Sequence, residues 1–251
     1  MDPRVRLLED FSKGFVRDKA KIEAELFGFE FLESLLSGGA ALEYGALTDI
    51  RMLHRYKLVD ISEHKMNQLI QLHVMKQLNV CRYFGAEKND VFCFNLDNNH
   101  KTDNTVIIPE LSTALDTLRT CLLGLGCEPL VVASGRGYHV SLRLDVPMEN
   151  ALLYRFMVAI AARALLPLLT RGDDHRTVKI NFYPDINIVD VVSLRLFGTV
   201  HAKNKTFSHV LTPNGLLNED DSWKYFEHFV RNGTTSAATI VSALDELQTA
   251  T

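Results

Sequence analysis

The chain has four cysteines, Cys81, Cys93, Cys121 and Cys127, and no Cys-x-x-Cys pair. That spacing argues against a zinc ribbon and for free, buried thiols in a reducing compartment. It also lacks an uninterrupted apolar run long enough for a membrane: the most apolar helical stretch, 151–169, carries Arg155, Arg163 and a late Pro167, and so reads as a buried core helix. The N-terminal MDPRVRLLEDF is charged from the start, with no apolar signal core, so a soluble, intracellular, cytoplasmic protein with no membrane partner is expected. An excess of positive charge is missing too. With net charge −4 and a pI near 6.1, bulk electrostatics does not make this chain a coat for nucleic acid, and a local basic cleft has to be sought site by site. No internal repeat or low-complexity segment is present. What remains, 47% apolar and 23% charged residues over 251 positions, is ordinary globular composition with enough chain for a sizeable core.

Two textures divide the chain. Residues 5–79 read helical: Leu8, Phe11, Phe15, Ile22, Leu26, Phe31 and Leu35 space an apolar face, SGGA breaks it at 37–40, and helical patterns return at 50–56 and 66–78. From Cys81 onward, short β-rich runs alternate with helices at 110–125 and 150–169, and helices at 221–230 and 235–247 close the chain. The expectation is an α+β fold with a mixed or mostly antiparallel sheet. It divides into a helical N-terminal subregion (1–79), a catalytic core (80–218) and C-terminal helices packing on that core (219–251).

Strand alternation sorts side chains onto two faces. In VFCFNLD, Phe92, Phe94 and Leu96 face the core, leaving Cys93, Asn95 and Asp97 opposite. In YHVSLRLD, Val140, Leu142 and Leu144 are the apolar set, opposite His139, Ser141, Arg143 and Asp145. Lys179, Asn181, Tyr183 and Asp185 share a face, as do Arg195, Thr199, His201 and Lys203 if Gly198 introduces no bulge. An acid, a histidine, an arginine and a lysine on one sheet face suit a metal and a polyphosphate. Singly each piece reads as readily as a turn cap or a glycine hairpin.

Taken together, FNLDNN, SGRGYHVSLRL and PDINIVDVVSLRLFGTVHAKN resemble the three motifs of the archaeo-eukaryotic primase superfamily, the catalytic domain of primases and primase-polymerases. The resemblance covers roughly residues 81–212. It implies a primase-type catalytic core with an RRM-like sheet, and template-dependent nucleotidyl transfer assisted by Mg²⁺ or Mn²⁺. The implied partners are an NTP or dNTP, a single-stranded or primed DNA or RNA template, and a helicase or other replication or defence proteins. By the same resemblance Asp97 takes the place of the second acid of the first motif. Ser134 and His139 take the serine and histidine that contact the incoming triphosphate. Asp185 takes the third-motif acid, with Asp190 as the nearby alternative, and Arg195, His201 and Lys203 belong to the strand that helps hold the nucleotide. Gly135 and Gly137 let backbone N–H groups approach phosphate, and Arg136 or Lys203 supplies positive charge there.

The sequence departs from the family at Asn95, where the first motif offers another acid. An amide oxygen still ligates Mg²⁺ or Mn²⁺ but carries no charge, so affinity for a cation pair should fall. Three readings stay open: an active variant recruiting Asp103 or Asp190, a degenerate domain that binds nucleotide or nucleic acid without turnover, or an engineered substitution. The competing functions are therefore a primase or primase-polymerase, a catalytically degenerate binding module in a replication or defence complex, and a metal-dependent nuclease, in which SGRGYH has no role.

Other polar clusters have blander readings. RGDDHR (171–176) reads as a solvated loop, and His54, His64 and His73 as surface or core histidines. The N-terminal basic residues alternate with acids and read as a solvated helix face. Trp223, Tyr225 and Phe226 read as helix core and not as a base-stacking platform.

Overall fold

The computed structural model describes residues 3–4, 41–44, 54–56, 73–76, 79–84, 87–98, 109–169, 178–187, 193–198, 200–201 and 206–249. Of the positions singled out above, Leu8, Phe11, Phe15, Ile22, Leu26, Phe31, Leu35, the 37–40 break, His64, Asp103, the 171–176 loop, Asp190, Thr199 and Lys203 lie outside them. The class is α+β with a mostly antiparallel sheet, and the chain divides into two compact units: Met1–Ala86 with Asn187–Ser208, and Glu87–Ile186 with His209–Thr251.

In the first unit, β1 (Ala41–Tyr44), β2 (His54–Tyr56) and β3 (Asn79–Tyr83) form an antiparallel ladder in the order β2-β1-β3. Helical spacing points to helix through 5–79, including 50–56, whereas 41–44 and 54–56 are strands. Short apolar runs fit either period, and pairing with a partner strand decides between them. The fourth strand of this sheet comes from far along the chain and pairs Cys81 with Arg195 and Arg82 with Leu194.

The second unit is built around β4 (Lys88–Asn98). Its Phe92, Phe94 and Leu96 are fully buried, each worth about 1.5–3 kcal/mol of apolar transfer. Helix α1 (Pro109–Gly124) follows, with Pro109 and Glu110 in its first turn and Leu111, Ala114, Leu115, Leu118 and Leu122 buried. That 3,4-spaced stripe is why it forms and which side it buries. The hairpin of β5 (Leu130–Ala133) and β6 (Gly137–Glu149) then leads directly into α2 (Asn150–Leu169). There Asn150 accepts a hydrogen bond from Asn89 Nδ2 (2.8 Å), and its backbone N–H donates to Glu87 O. Strand β7 (Val178–Tyr183) pairs with β4 at the end of the strand order, among the described residues.

β8 (Ser193–Arg195) is the strand that returns to the first unit. β9 (His209–Thr212) and β10 (Gly215–Leu216) extend the sheet of the second unit, giving the order β10-β9-β5-β6-β4-β7. α3 (Glu219–Asn232) is capped by Asn218, which accepts from Asp221 N at 2.9 Å. After it, β11 (Thr234–Thr235) pairs in parallel with Arg143 and Leu144. Helix α4 (Ala237–Thr249) starts where Asp145 Oδ1 accepts from Ala237 N at 2.8 Å.

Helices α1, α2 and α4 pack on the apolar sheet face. The core there joins Phe92, Phe94, Leu96, Val140 and Leu142 to Leu118, Phe156, Ile160 and Ile240, with Phe156 edge-on to Phe92 at 5.7 Å and Phe182 edge-on to Phe94 at 6.1 Å. Among the described residues no helix is long and apolar enough to cross a membrane. The four cysteines are free; Cys81, Cys93 and Cys127 are buried as expected, while Cys121 is half-buried.

Candidate active site on the polar face of the sheet

The other face of the sheet is the polar one that alternation assigns. Register sets its rows. Asn95 lies between His139 on β6 and Asn181 on β7, and Asp97 between Gly137 and Lys179. One row further, Cys93 sits between Ser141 and Tyr183. Exposure rises along β4, from Cys93 at 0% through Asn95 at 8% to a half-buried Asp97, and Lys179 is exposed. The polar row therefore opens to solvent at the Asp97 end. Toward the opposite end Arg143, on the His139 face, donates to Val230 O at the end of α3.

The Asp97 end is shaped by the β5–β6 turn, Ser134-Gly135-Arg136-Gly137, which Ser134 N closes by donating to Gly137 O at 2.8 Å. Gly135 has φ +102°, a conformation that L side chains rarely adopt. Gly137 meets a different demand: a Cβ there would fall 1.8 Å from Leu96 O, so β6 approaches β4 more closely than any side chain permits. The turn carries Arg136 to Asp97, with Nη2 3.5 Å from Oδ2. At that distance the contact is chiefly an ion pair. Asp97 Oδ2 also accepts from Asn95 Nδ2 at 3.1 Å, while the Asn95 Oδ1 atom is buried with no hydrogen-bond partner among the described residues.

Of the expected site residues, the structure brings together Asn95, Asp97, Arg136 and His139, with Ser134 buried at the start of the turn. The β4–β7 ladder itself does not include Asp185. Lys179 is the β7 residue level with Asp97, whereas Tyr183 is level with Cys93, about 13 Å further along the strand, and Asp185 lies beyond it, after the cis Tyr183–Pro184 bond.

Arg195 and His201 belong to the other unit. There Arg195 is 7% exposed and donates from Nη1 to Val200 O at 3.4 Å; Asn79 Nδ2 donates to the same carbonyl at 3.3 Å. The expected single strand through SLRLFGTVHA is broken: β8 ends at Arg195, the chain bends at Phe197–Gly198 with Gly198 at φ +101°, and Val200 forms an isolated bridge with Phe207. Arg195 and His201 are thus not on one continuous strand face. His73 is a core histidine, fully buried, with Nε2 2.9 Å from Phe197 O. Trp223 and Phe226 are buried helix-core residues, packed edge to face at 6.1 Å.

No protein-family model and no curated protein sequence matches the chain. Among solved structures it is similar to the polymerase domain of ligase D from Mycobacterium tuberculosis, determined in complex with DNA. That likeness has 13% identity and a TM-score of 0.44, and it covers 92% of this chain and 88% of that one.

At the Asp97 end the described residues offer one carboxylate, Asp97, and one amide, Asn95, as side-chain oxygen donors. Among the described residues no group of three His, Cys, Asp or Glu side chains converges as a metal cluster. The two contacts of Asp97 described above fall on Oδ2, which leaves Oδ1 as an oxygen donor; the buried Asn95 amide oxygen joins it only if the amide turns, because Nδ2 is the atom that meets Asp97. Mg²⁺ characteristically takes one or two carboxylates from the protein and completes its shell with water and substrate phosphates. Lys179 received no role from the sequence, although the alternation of VKINFY had already placed it on this face. Its position level with Asp97 follows only from the β4–β7 register.

Proposed function

We propose that the polar face around Asp97 is a nucleotidyl-transfer site of a primase or primase-polymerase, acting on an NTP or dNTP at a nucleic-acid template. The observation that carries the reading is the register: Asn95 against His139 and Asp97 against Gly137, with the Arg136 turn folded onto Asp97. In this reading the Ser134–Gly137 turn and His139 receive the triphosphate. The guanidinium of Arg136 offers a planar fork for phosphate oxygens, and a neutral His139 donates one hydrogen bond, or adds charge when protonated. Lys179 contributes a further positive charge at the open end. Asp97, with the Asn95 amide oxygen, would hold the divalent cation, Mg²⁺ or Mn²⁺. Such an ion neutralises charge at the reacting phosphate and lowers the pKa of a hydroxyl bound to it.

A second reading is favoured by one specific observation. Asp97 is already served by two donors of the protein, Asn95 and Arg136, as in a degenerate module that binds nucleotide or nucleic acid without turnover. Primer extension and de novo synthesis with Mn²⁺ or Mg²⁺, on the protein, on Asn95→Asp and on Asp97→Ala, separate the two. Incorporation by the unaltered chain that vanishes with Asp97→Ala supports the enzyme. Incorporation only by Asn95→Asp identifies position 95 as the lesion. No incorporation by any of the three, together with retained nucleotide or DNA binding, selects the binding module.

A further inference from the structure

The Arg136–Asp97 pair lies where a cation would have to bind, and its surroundings restrict how it opens. The turn backbone is held by the Ser134–Gly137 hydrogen bond, by the Asp97–Gly137 pairing, and by a contact with Leu96 that leaves no room for a side chain at Gly137. The Arg136 side chain is the element with freedom: it is 25% exposed, against 14% for Asp97, and the 3.5 Å contact is long for a charge-assisted hydrogen bond. Only the Nη2 donor is engaged with Asp97, and a guanidinium has five N–H donors. An incoming polyphosphate would offer Arg136 a bidentate partner at the cost of one long contact.

We infer that Arg136 is a resident counter-ion for Asp97. It competes with a divalent cation while the site is empty of nucleotide, and it is drawn off by the phosphates, so that nucleotide binding opens Asp97 to the cation. The inference rests on the nucleotidyl-transfer reading and adds regulation to the same site. Linkage makes the effect reciprocal: whatever factor the nucleotide adds to cation affinity, the cation adds to nucleotide affinity. The Asn95 amide belongs to the same device. Its Nδ2 points at Asp97 while its Oδ1 lies buried and without a partner among the described residues, so a half-turn of the amide exchanges a donor toward Asp97 for an acceptor toward the ion.

The test is Mn²⁺ binding followed by electron paramagnetic resonance, without turnover, alone and with the α,β-imido analogue of dATP. The proteins compared are the unaltered chain, Arg136→Gln, Arg136→Met, Arg136→Lys and Lys179→Gln. Both neutral replacements of Arg136 are expected to bind Mn²⁺ alone more tightly, by about fivefold or more, and to lose most of the tightening that the analogue gives the unaltered chain. Arg136→Lys, which keeps a charge beside Asp97, stays near the unaltered protein. If the unaltered chain binds Mn²⁺ and analogue but neither neutral variant binds Mn²⁺ more tightly, the inference falls and the functional reading stands. Equal tightening in Lys179→Gln means a general field effect and also overturns it. If no folded protein of the set binds Mn²⁺ or the analogue, the functional reading falls as well. Should both neutral variants fail to fold, as judged by circular dichroism, the pair is structural and the inference is withdrawn.

Discussion

Asn95 Nδ2 donates to Asp97 Oδ2 across 3.1 Å, two residues along the same face of β4. An amide at position 95 thus does for Asp97 what a second carboxylate would undo. In Asn95→Asp a donor becomes an acid at a site 8% exposed, beside a like charge. That change should lower stability at neutral pH by on the order of 2–3 kcal/mol. The crowded pair would titrate with one raised pKa, so the deficit should shrink as pH falls and the pair takes up a proton. Mn²⁺ should raise the melting temperature of Asn95→Asp more than that of the unaltered chain. Thermal melts at pH 7 and pH 5, with and without Mn²⁺, read all three effects, and a variant as stable as its parent at pH 7 would contradict the contact.

Gly137→Ala tests the turn. A methyl group there would fall 1.8 Å from Leu96 O and 2.8 Å from Leu96 C, and neither backbone atom moves without opening the β4–β6 ladder. The expected loss exceeds the roughly 1–3 kcal/mol of ordinary overpacking. Hydrogen exchange should locate the damage at Leu96 and Tyr138, and an undisturbed ladder would refute the close approach.

Burial pushes the Cys93 thiol up to about 12 and the Cys127 thiol up to about 11, from an ordinary 9.0. Thiolate is the reactive form, so of Cys93, Cys121 and Cys127 only the partly exposed Cys121 should react with a disulfide reagent at pH 8 in the native protein. Peptide mapping after a short labelling pulse checks this. The native thiols keep protons that unfolded thiols lose above about pH 9. Their contribution to stability is therefore whole below that pH and is lost as pH rises toward 11 and 12.

Asn218→Ala removes the cap that accepts from Asp221 N at the start of α3. A loss of about 1 kcal/mol is expected, recovered in large part by Asn218→Asp or Asn218→Ser. Because Ser222 Oγ in the same turn accepts from Val210 N on β9, a frayed α3 should also lower protection of the Val210 amide.

Much of this protein is legible one strand at a time. Alternation in VFCFNLD and YHVSLRLD separates Phe94 and Val140 from Asn95 and His139 because neighbouring side chains must point to opposite sides of a pleated strand. The 3,4 spacing of Leu111, Leu115, Leu118 and Leu122 writes α1 in the same local way. What periodicity cannot carry is register between strands. Asp97 stands level with Lys179, and Asp185 lies beyond Tyr183 at the Cys93 level, because β4 and β7 run antiparallel in one particular alignment, set by how Phe94 and Phe182 meet in the core. Strand pairing across distant chain likewise joins β3 to β8, so that β8 belongs to the first unit although β7, which precedes it in the chain, belongs to the second. The Arg136–Asp97 contact belongs to the same class: the residues are 39 apart in sequence, and only a glycine that lets two backbones nearly touch turns that separation into an ion pair. The sequence by itself determined which faces are polar and which residues line them; the tertiary structure alone decided which of those residues meet, because long-range pairing answers to packing of the whole core and not to any local pattern.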